Sequence, residues 1–262
     1  MTGQETHTLR IVSANPCTDA ILAGIAAPGQ LVAVSQYSHD PRATSLPLGV
    51  ARRFPATTGM VEDILPFRPD VVVSGTYMPP ATVTALRHLG IRVELLPIAA
   101  TVEESIAQVR QLAALTGRQQ QGEVLVAAIE SALSAAKPAI RHNSIPAVVW
   151  LSGGIVPGND TLIADLMRRT GFANFTGSKG MKQADTLPLE ELIADPPQVI
   201  LMAGDTHGEE DRMLAHPALA HLEQTRRERL DPSLLYCGGP TIVRTAHRLA
   251  EIRRSLEAGR HP

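Results

Sequence analysis

The sequence predicts an α/β fold of two lobes, each with a parallel sheet flanked by helices, joined by one long helix. Three observations predict it. Short apolar runs alternate with helical patterns over residues 9–96, and the alternation resumes after residue 146. Between the two series, about 35 residues carry almost no strand signal and read as helix. A pattern also occurs twice: Glu62-Asp63-Ile64-Leu65-Pro66-Phe67-Arg68-Pro69-Asp70-Val71-Val72-Val73 and Glu190-Glu191-Leu192-Ile193-Ala194-Asp195-Pro196-Pro197-Gln198-Val199-Ile200-Leu201, without a gap. Each copy is a short acidic helix start, a proline and a buried strand. Two lobes of similar plan fit this better than one continuous sheet.

Residues 9–13 (LRIVS) form a β-branched apolar run, hence a buried strand, and 19–26 a short helix. A second strand follows at 31–35 (LVAVS), then one or two helical turns at 61–65 and a strong strand at 70–74 (DVVVS). Residues 81–89 are helical and end at Gly90, as glycine after a last turn commonly does. A fourth strand spans 92–96. Four such units argue for an open parallel sheet. Thr101, with Glu104 three residues on, reads as a capping box opening a helix that runs to Leu115 and breaks at Thr116-Gly117. A second helix, 120–137, places Val124, Leu125, Ala128, Ile129 and Leu133 on one face and ends before Pro138. A strand at 147–151 (AVVWL) then reopens the alternation, followed by a helix at 162–170 ended by Gly171 and a strand at 199–203. A helix at 217–224, a short strand at 233–236 and a terminal helix at 241–256 complete the plan. The domain boundaries read as an N-terminal lobe over 1–118, a bridging helix over 119–138 and a C-terminal lobe over 139–262.

The 262 residues are 44% hydrophobic and 19% charged, which is globular composition. A net charge of −2 argues against a dedicated nucleic-acid binder. No apolar run is long enough to span a membrane. Met1 to Thr8 (MTGQETHT) has neither a basic n-region nor an apolar h-region. Such a start fits a cytoplasmic protein or a chain that has lost its leader.

In open parallel sheets, ligands bind beyond the carboxyl ends of the strands. The candidates are therefore the residues that follow each strand: Asn15, Pro16 and Cys17; Tyr37 and His39; Thr58, Gly59 and Met60; Tyr77 and Met78. In the second half they are Gly153, Gly154 and Ile155; Asp205 and His207; Cys237 and Gly238, with Arg244 one helical turn further on. Nucleotide-loop, nucleophile-elbow and zinc-spacing patterns are absent. Ser152-Gly153-Gly154 can be an anion loop, although Asn159-Asp160-Thr161 as a turn and cap is the blander account. His207 with Asp205 and Glu209 can hold a metal or be a solvated acidic loop. Cys17 and Cys237 allow three states: inert loop residues, a disulfide if their Cα atoms come within about 7 Å, or a thiolate touching a soft metal centre in a ligand.

The segments Arg10-Ile11-Val12-Ser13 with Asp19-Ala20-Ile21-Leu22, Leu31-Val32-Ala33-Val34-Ser35, Glu62-Asp63-Ile64-Leu65 with Arg68-Pro69-Asp70-Val71-Val72, and Leu86-Arg87-His88-Leu89-Gly90-Ile91-Arg92-Val93 resemble those of a known family. It comprises the periplasmic substrate-binding proteins of ABC importers for vitamin B12, iron-siderophores and haem. The resemblance implies a stiff bridging helix and a ligand held between the lobes against the loops just named. It implies a metal chelate as ligand, no cofactor of the protein's own, a permease with ATPase subunits as partner, a monomer, and a periplasmic location with the leader trimmed. A glutamate on each lobe docks to the permease in this family, and the matching positions are Glu62 and Glu190. The alternative for this pair is helix N-terminal stabilisation through the dipole. Vitamin B12 binders stack the corrin on several aromatics, whereas here only Tyr37 and Tyr77 lie plainly in loops and Trp150 sits inside a strand. Against an anionic or metal group, His39, Lys179, Lys182, His207 and Arg244 are the candidates. Loops rich in Gly, Pro and Thr with little charge put a corrinoid ahead of an iron-siderophore or haem. A bare metal or oxyanion binder, using His39, Asp40, Asp205 and His207, is a further alternative. An enzyme on a two-lobed frame would need a titratable cluster with a nucleophile, which the sequence does not show.

Overall fold

The structure is a computed structural model that describes residues 8–138, 144–204, 219, 222 and 224–258. The chain divides into two compact units. The first takes in residues up to Ile98, then Ser105–Ala127 and Tyr236–Thr241; the second takes in Ala99–Glu104, Ala128–Leu235 and the chain from Ile242 on.

The first unit opens with β1 (Ile11–Ser13), α1 (Pro16–Ile25), β2 (Leu31–Ser35), α2 (Leu48–Ala51), β3 (Ala56–Thr57) and α3 (Val61–Ile64). It continues through β4 (Val71–Gly75), α4 (Pro80–His88) and β5 (Arg92–Leu96), and shares α5 (Val102–Leu115) and α6 (Gln119–Ala136) with the second. The five strands run parallel in the order β3-β2-β1-β4-β5. β1 and β4 are neighbouring interior strands, in register Ile11 with Val71 and Ser13 with Val73. Both are continuous apolar runs because helices cover both faces. Val12, Ala33 and Val72 pack with Ile64, Leu86 and Val93 into one core.

The capping box at the start of α5 forms as predicted, shifted by one position. Thr101 Oγ1 accepts from the Glu104 N–H at 3.2 Å, while the Glu104 carboxylate reaches back to the Ala100 N–H at 2.6 Å. The buried face of α6 differs from the predicted one. Val124 is 67% exposed and Ala128 is exposed, whereas Val126, Ile129, Ala132, Leu133 and Ala136 are buried. An alanine-rich helix offers two apolar stripes, and close approach at Gly122 selects between them. A Cβ on Gly122 would collide with that of Ala113. Gly122→Leu is therefore expected to lower unfolding free energy by about 1–3 kcal/mol, the cost of overpacking, as read from a urea melt; Glu123→Ala on the exposed side of the same helix should stay within about 0.5 kcal/mol.

The second unit contains β6 (Ile145–Leu151), β7 (Ile155–Val156), α7 (Leu162–Arg169), β8 (Phe172–Asn174), α8 (Phe175–Ser178) and β9 (Asp185–Thr186). It ends with α9 (Leu189–Ala194), β10 (Val199–Ala203), β11 (Arg226–Arg229) and α10 (Thr241–Ala258). Its main sheet is parallel in the order β11-β10-β6-β8, and β7 and β9 pair antiparallel. The order β8-β6-β10-β11 repeats the plan of β2-β1-β4-β5. The sequence repeat lies on equivalent pieces: Ile64 and Leu192 are both fully buried, and Val71–Val73 match Val199–Leu201 in the two inner strands.

Two elements near residue 230 differ from expectation. Residues 233–236 are not a strand: Pro232–Leu234 is a 3₁₀ turn, capped by Asp231, which accepts from the Ser233 N–H at 2.9 Å. The strand is Arg226–Arg229, three arginines and a glutamate, at the edge of the sheet where charge blocks further pairing. Most of the helix predicted at 217–224 lies outside the described residues. Trp150 is fully buried in the core of the second unit. Among the described residues no helix is long and apolar enough to cross a membrane.

Candidate functional site

A parallel sheet delivers the carboxyl ends of all its strands to one edge. In the first unit this edge carries most of the predicted residues. Asn15 follows β1 and is the N-cap of α1: its Oδ1 accepts from the Cys17 N–H at 2.8 Å, with Pro16 at the first helical position. After β2 comes a 3₁₀ turn, Gln36–His39, that projects Tyr37, 55% exposed. After β3, Thr57 and Thr58 hydroxyls accept from the N–H groups of Gly59 and Met60. Gly59 has φ +84°, a conformation that glycine adopts freely, and Met60 is left 54% exposed. Thr58 also donates to Asp63. After β4 stands Tyr77, 82% exposed, and after β5 stands Ile98, 72% exposed. Four large apolar side chains thus stand in solvent at one edge of one sheet.

Cys17 and Cys237 form a disulfide, with Cα atoms 5.0 Å apart. Both belong to the first unit, so the bridge closes within it. It fastens the segment Tyr236–Thr241 to α1, and two further contacts help. The Gly239 N–H donates to Ser105 Oγ at 2.7 Å, and Gly239 lies so close to Ile21 that a side chain there would collide. The thiolate reading of these cysteines is corrected: a disulfide sulfur has no thiolate to offer a metal. Cys237 is also buried.

Other expectations change as well. Met78 is core, not surface. The His39 ring bonds the Ala51 carbonyl at 3.1 Å, which fixes the loop. Asp40 accepts from the Arg42 N–H and guanidinium, and these hold its carboxyl below the usual range. In the second unit, Gly153 and Gly154 form a 3₁₀ turn after β6; Gly154 is buried and its carbonyl accepts from the Leu187 N–H at 3.1 Å. Ile155 is 45% exposed. Lys179 pairs with Asp195 at 3.4 Å and sits over the Phe175 ring at 4.9 Å, so it is committed to the fold, while Lys182 is exposed. Arg244 lies exposed on α10 and Gly238 is half-buried. Asp205 and His207 lie outside the described residues. Among the described residues no group of three or more His, Cys, Asp or Glu is placed to hold a metal ion. Glu62 and Glu190 are exposed in the first turns of α3 and α9, the equivalent helices of the repeat.

Asp19, Ser35, Ser38 and Ile98 were not singled out by sequence. Asp19 on α1 is fully buried. Its Oδ2 accepts from the Ser35 N–H at 2.9 Å and from Ser38 Oγ at 2.6 Å. Burial pushes its carboxyl up to about 7, against the opposing pull of hydrogen bonds from Ser13, Ser38 and Ser35.

A family model described as “Periplasmic binding protein” matches residues 11–230. Among solved structures, the periplasmic heme-binding protein RhuT from Roseiflexus sp. RS-1, in apo form, is similar with a TM-score of 0.75 and 24% identity, over 94% of this chain and 97% of that one. The periplasmic heme-binding protein HutB of Vibrio cholerae gives 0.75 and 21%, over 94% and 99%. The periplasmic vitamin B12 binding protein BtuF of Vibrio cholerae gives 0.69 and 18%, over 94% and 97%. At these identities the likeness is one of fold. No curated protein matches the chain.

Proposed function

Because the chain belongs to the periplasmic binding protein family, we propose that it is the substrate-binding component of an ABC importer and that its ligand is a metallated tetrapyrrole. The observation that carries this reading is the row of Tyr37, Met60, Tyr77 and Ile98, exposed at the carboxyl edge of one sheet. Folding leaves large apolar groups in solvent at a cost, and four of them after four strands of one sheet support a binding surface at its carboxyl edge. Two aromatic faces and two aliphatic chains suit a flat macrocycle with an apolar face. The protein's part is capture and delivery, with no bond made or broken. The low charge of these loops favours a corrinoid; the haem-binding descriptions of the two solved relatives with a TM-score of 0.75 favour haem. The disulfide supports an oxidising compartment such as the periplasm.

Calorimetric titration with haem, cyanocobalamin, cobinamide and a ferric siderophore tests the reading. Sub-micromolar binding of one tetrapyrrole is expected, and Tyr77→Ala and Tyr37→Ala should each weaken it about tenfold, the loss of one well-placed aromatic contact. Binding of a siderophore alone, or of no chelate, removes the tetrapyrrole assignment.

Glu62 and Glu190 are proposed as the permease-docking pair, supported by their exposure on equivalent helices. The variant Glu62→Arg/Glu190→Arg is expected to keep its ligand affinity within twofold and to abolish uptake in a reconstituted importer. Normal uptake by this variant would leave both glutamates as helix-start acids only.

A further inference from the structure

We propose that Asp19 is the positioning residue of the candidate site: its buried side chain fixes the 3₁₀ turn that presents Tyr37. The inference rests on the functional reading above for the role of Tyr37. A carboxyl group fully removed from water is costly to keep and is retained only where it is held by donors. Asp19 is such a group, in a stretch of α1 where Thr18, Ala20, Ile21 and Leu22 are buried with it. Both donors to its Oδ2 belong to the segment that carries Tyr37: the Ser35 N–H enters the turn and Ser38 Oγ lies within it. One oxygen atom therefore ties both sides of Tyr37 to the helix. Ser35 adds its own hydroxyl, which accepts from the Tyr37 N–H at 3.3 Å. Ser13 at the end of β1 also acts on the carboxyl, so the group joins the turn to an interior strand of the first unit as well as to α1. At the far end of the turn the Asp40 N–H closes on the Tyr37 carbonyl, and the His39 ring bonds the Ala51 carbonyl. Without Asp19, Ser35 keeps its pairing with Thr57 of β3, but Ser38 loses its acceptor on α1 and the exposed ring on a short 3₁₀ turn is held less firmly.

Hydrogen exchange on the ligand-free protein tests this directly. Asp19→Ala is expected to speed exchange over residues 35–40 at least tenfold and to leave β4 within threefold. Asp19→Asn, which keeps an acceptor oxygen, should recover most of the protection. Haem and cyanocobalamin are the binding probes. With whichever binds, Asp19→Ala should cost about tenfold in affinity in the natural chain and less than threefold in a Tyr37→Ala background, because the two residues act as one unit. Should Asp19→Ala fail to fold, Ser38→Ala, which removes one donor and leaves the carboxyl in place, is read in the same way. Unchanged exchange over 35–40, or a rise shared equally by β4, overturns the proposal, as does additive loss in the double variant. If neither probe binds the natural chain, the functional reading fails and the exchange result alone decides the role of Asp19 in fixing the turn.

Discussion

Replacing Cys17 and Cys237 together by serine is expected to lower the stability of the first unit by about 2–5 kcal/mol. The bridge joins residues 220 positions apart, so it removes a large share of the freedom of the unfolded chain. Loop-closure entropy for a loop of this size is about 5 kcal/mol, an upper value. The segment it holds, Tyr236–Thr241, reaches the first unit after a long excursion, where an N–H bond to Ser105 and packing on Ile21 are among its other contacts. Two units need not melt as one, so the readout is hydrogen exchange in α1 and β1 together with a urea melt. Loss should concentrate in the first unit, and dithiothreitol should reproduce it in the natural chain. A cost below about 1 kcal/mol would mean that the segment's non-covalent contacts hold it unaided, and the disulfide would then be dispensable to the fold.

The fold was largely legible because it is built from strands buried on both faces. Such strands read as unbroken apolar runs, and residues 70–74 and 199–203 announce themselves by composition alone. The repeat was legible for the same reason: helix start, proline and strand are local signals, and they recur at one spacing. What escaped is what hydrophobic pattern does not encode. Arg226–Arg229 is held by backbone pairing to β10, and its side chains advertise an exposed loop. Ala56–Thr57 and Asp185–Thr186 are two-residue strands, too short to have a period. On α6 the choice between two apolar stripes was made by Gly122 against Ala113, a contact between helices.

Of the candidate site, sequence supplied the loops and not the roles. The rule that ligands gather at strand carboxyl ends found Tyr37, Met60 and Tyr77 because it needs only strand positions. It also swept in Met78, whose side chain turns into the core one residue after the exposed Tyr77. Cys17 and Cys237 were seen as loop residues, but their pairing depends on a 220-residue return of the chain that no local pattern carries. Asp19 stood in the sequence at the start of the helix read over 19–26, within a run that carried the family resemblance, and was given no role of its own. Its one distinguishing signal was position: a charged residue directly ahead of Ala20, Ile21 and Leu22, all of which are buried.

Between pH 5 and pH 8 the protein should lose stability through Asp19, and Asp19→Asn should remove that loss. The carboxyl has an ordinary value of 3.8 and burial raises it to about 7 in the folded state. The folded chain therefore holds the Asp19 proton more tightly than the unfolded chain does. Its stabilising share is fully present below about pH 4 and is lost as pH rises toward 7, with a slope of at most about 1.4 kcal/mol per pH unit. Asp165 and Glu103 act in the opposite sense. Burial works against the charged form of Asp165, but the Val102 N–H, Arg169 and Arg168 outweigh it, and Arg169 lowers Glu103. Their support is present above the ordinary carboxylate range and fails only in acid, so a window opening at pH 5 excludes it. All other titratable groups are common to both chains. The decisive quantity is accordingly the unfolding free energy of Asp19→Asn minus that of the natural chain. It should move in favour of the variant by about 2–4 kcal/mol as pH rises from 5 to 8. An acceptor oxygen survives in the variant, so the turn that carries Tyr37 stays tied to α1 while the cost of burying a charge disappears. A flat difference across the window would mean that the Ser35 and Ser38 donors compensate the buried carboxylate fully, and that the turn is held by a permanent charge.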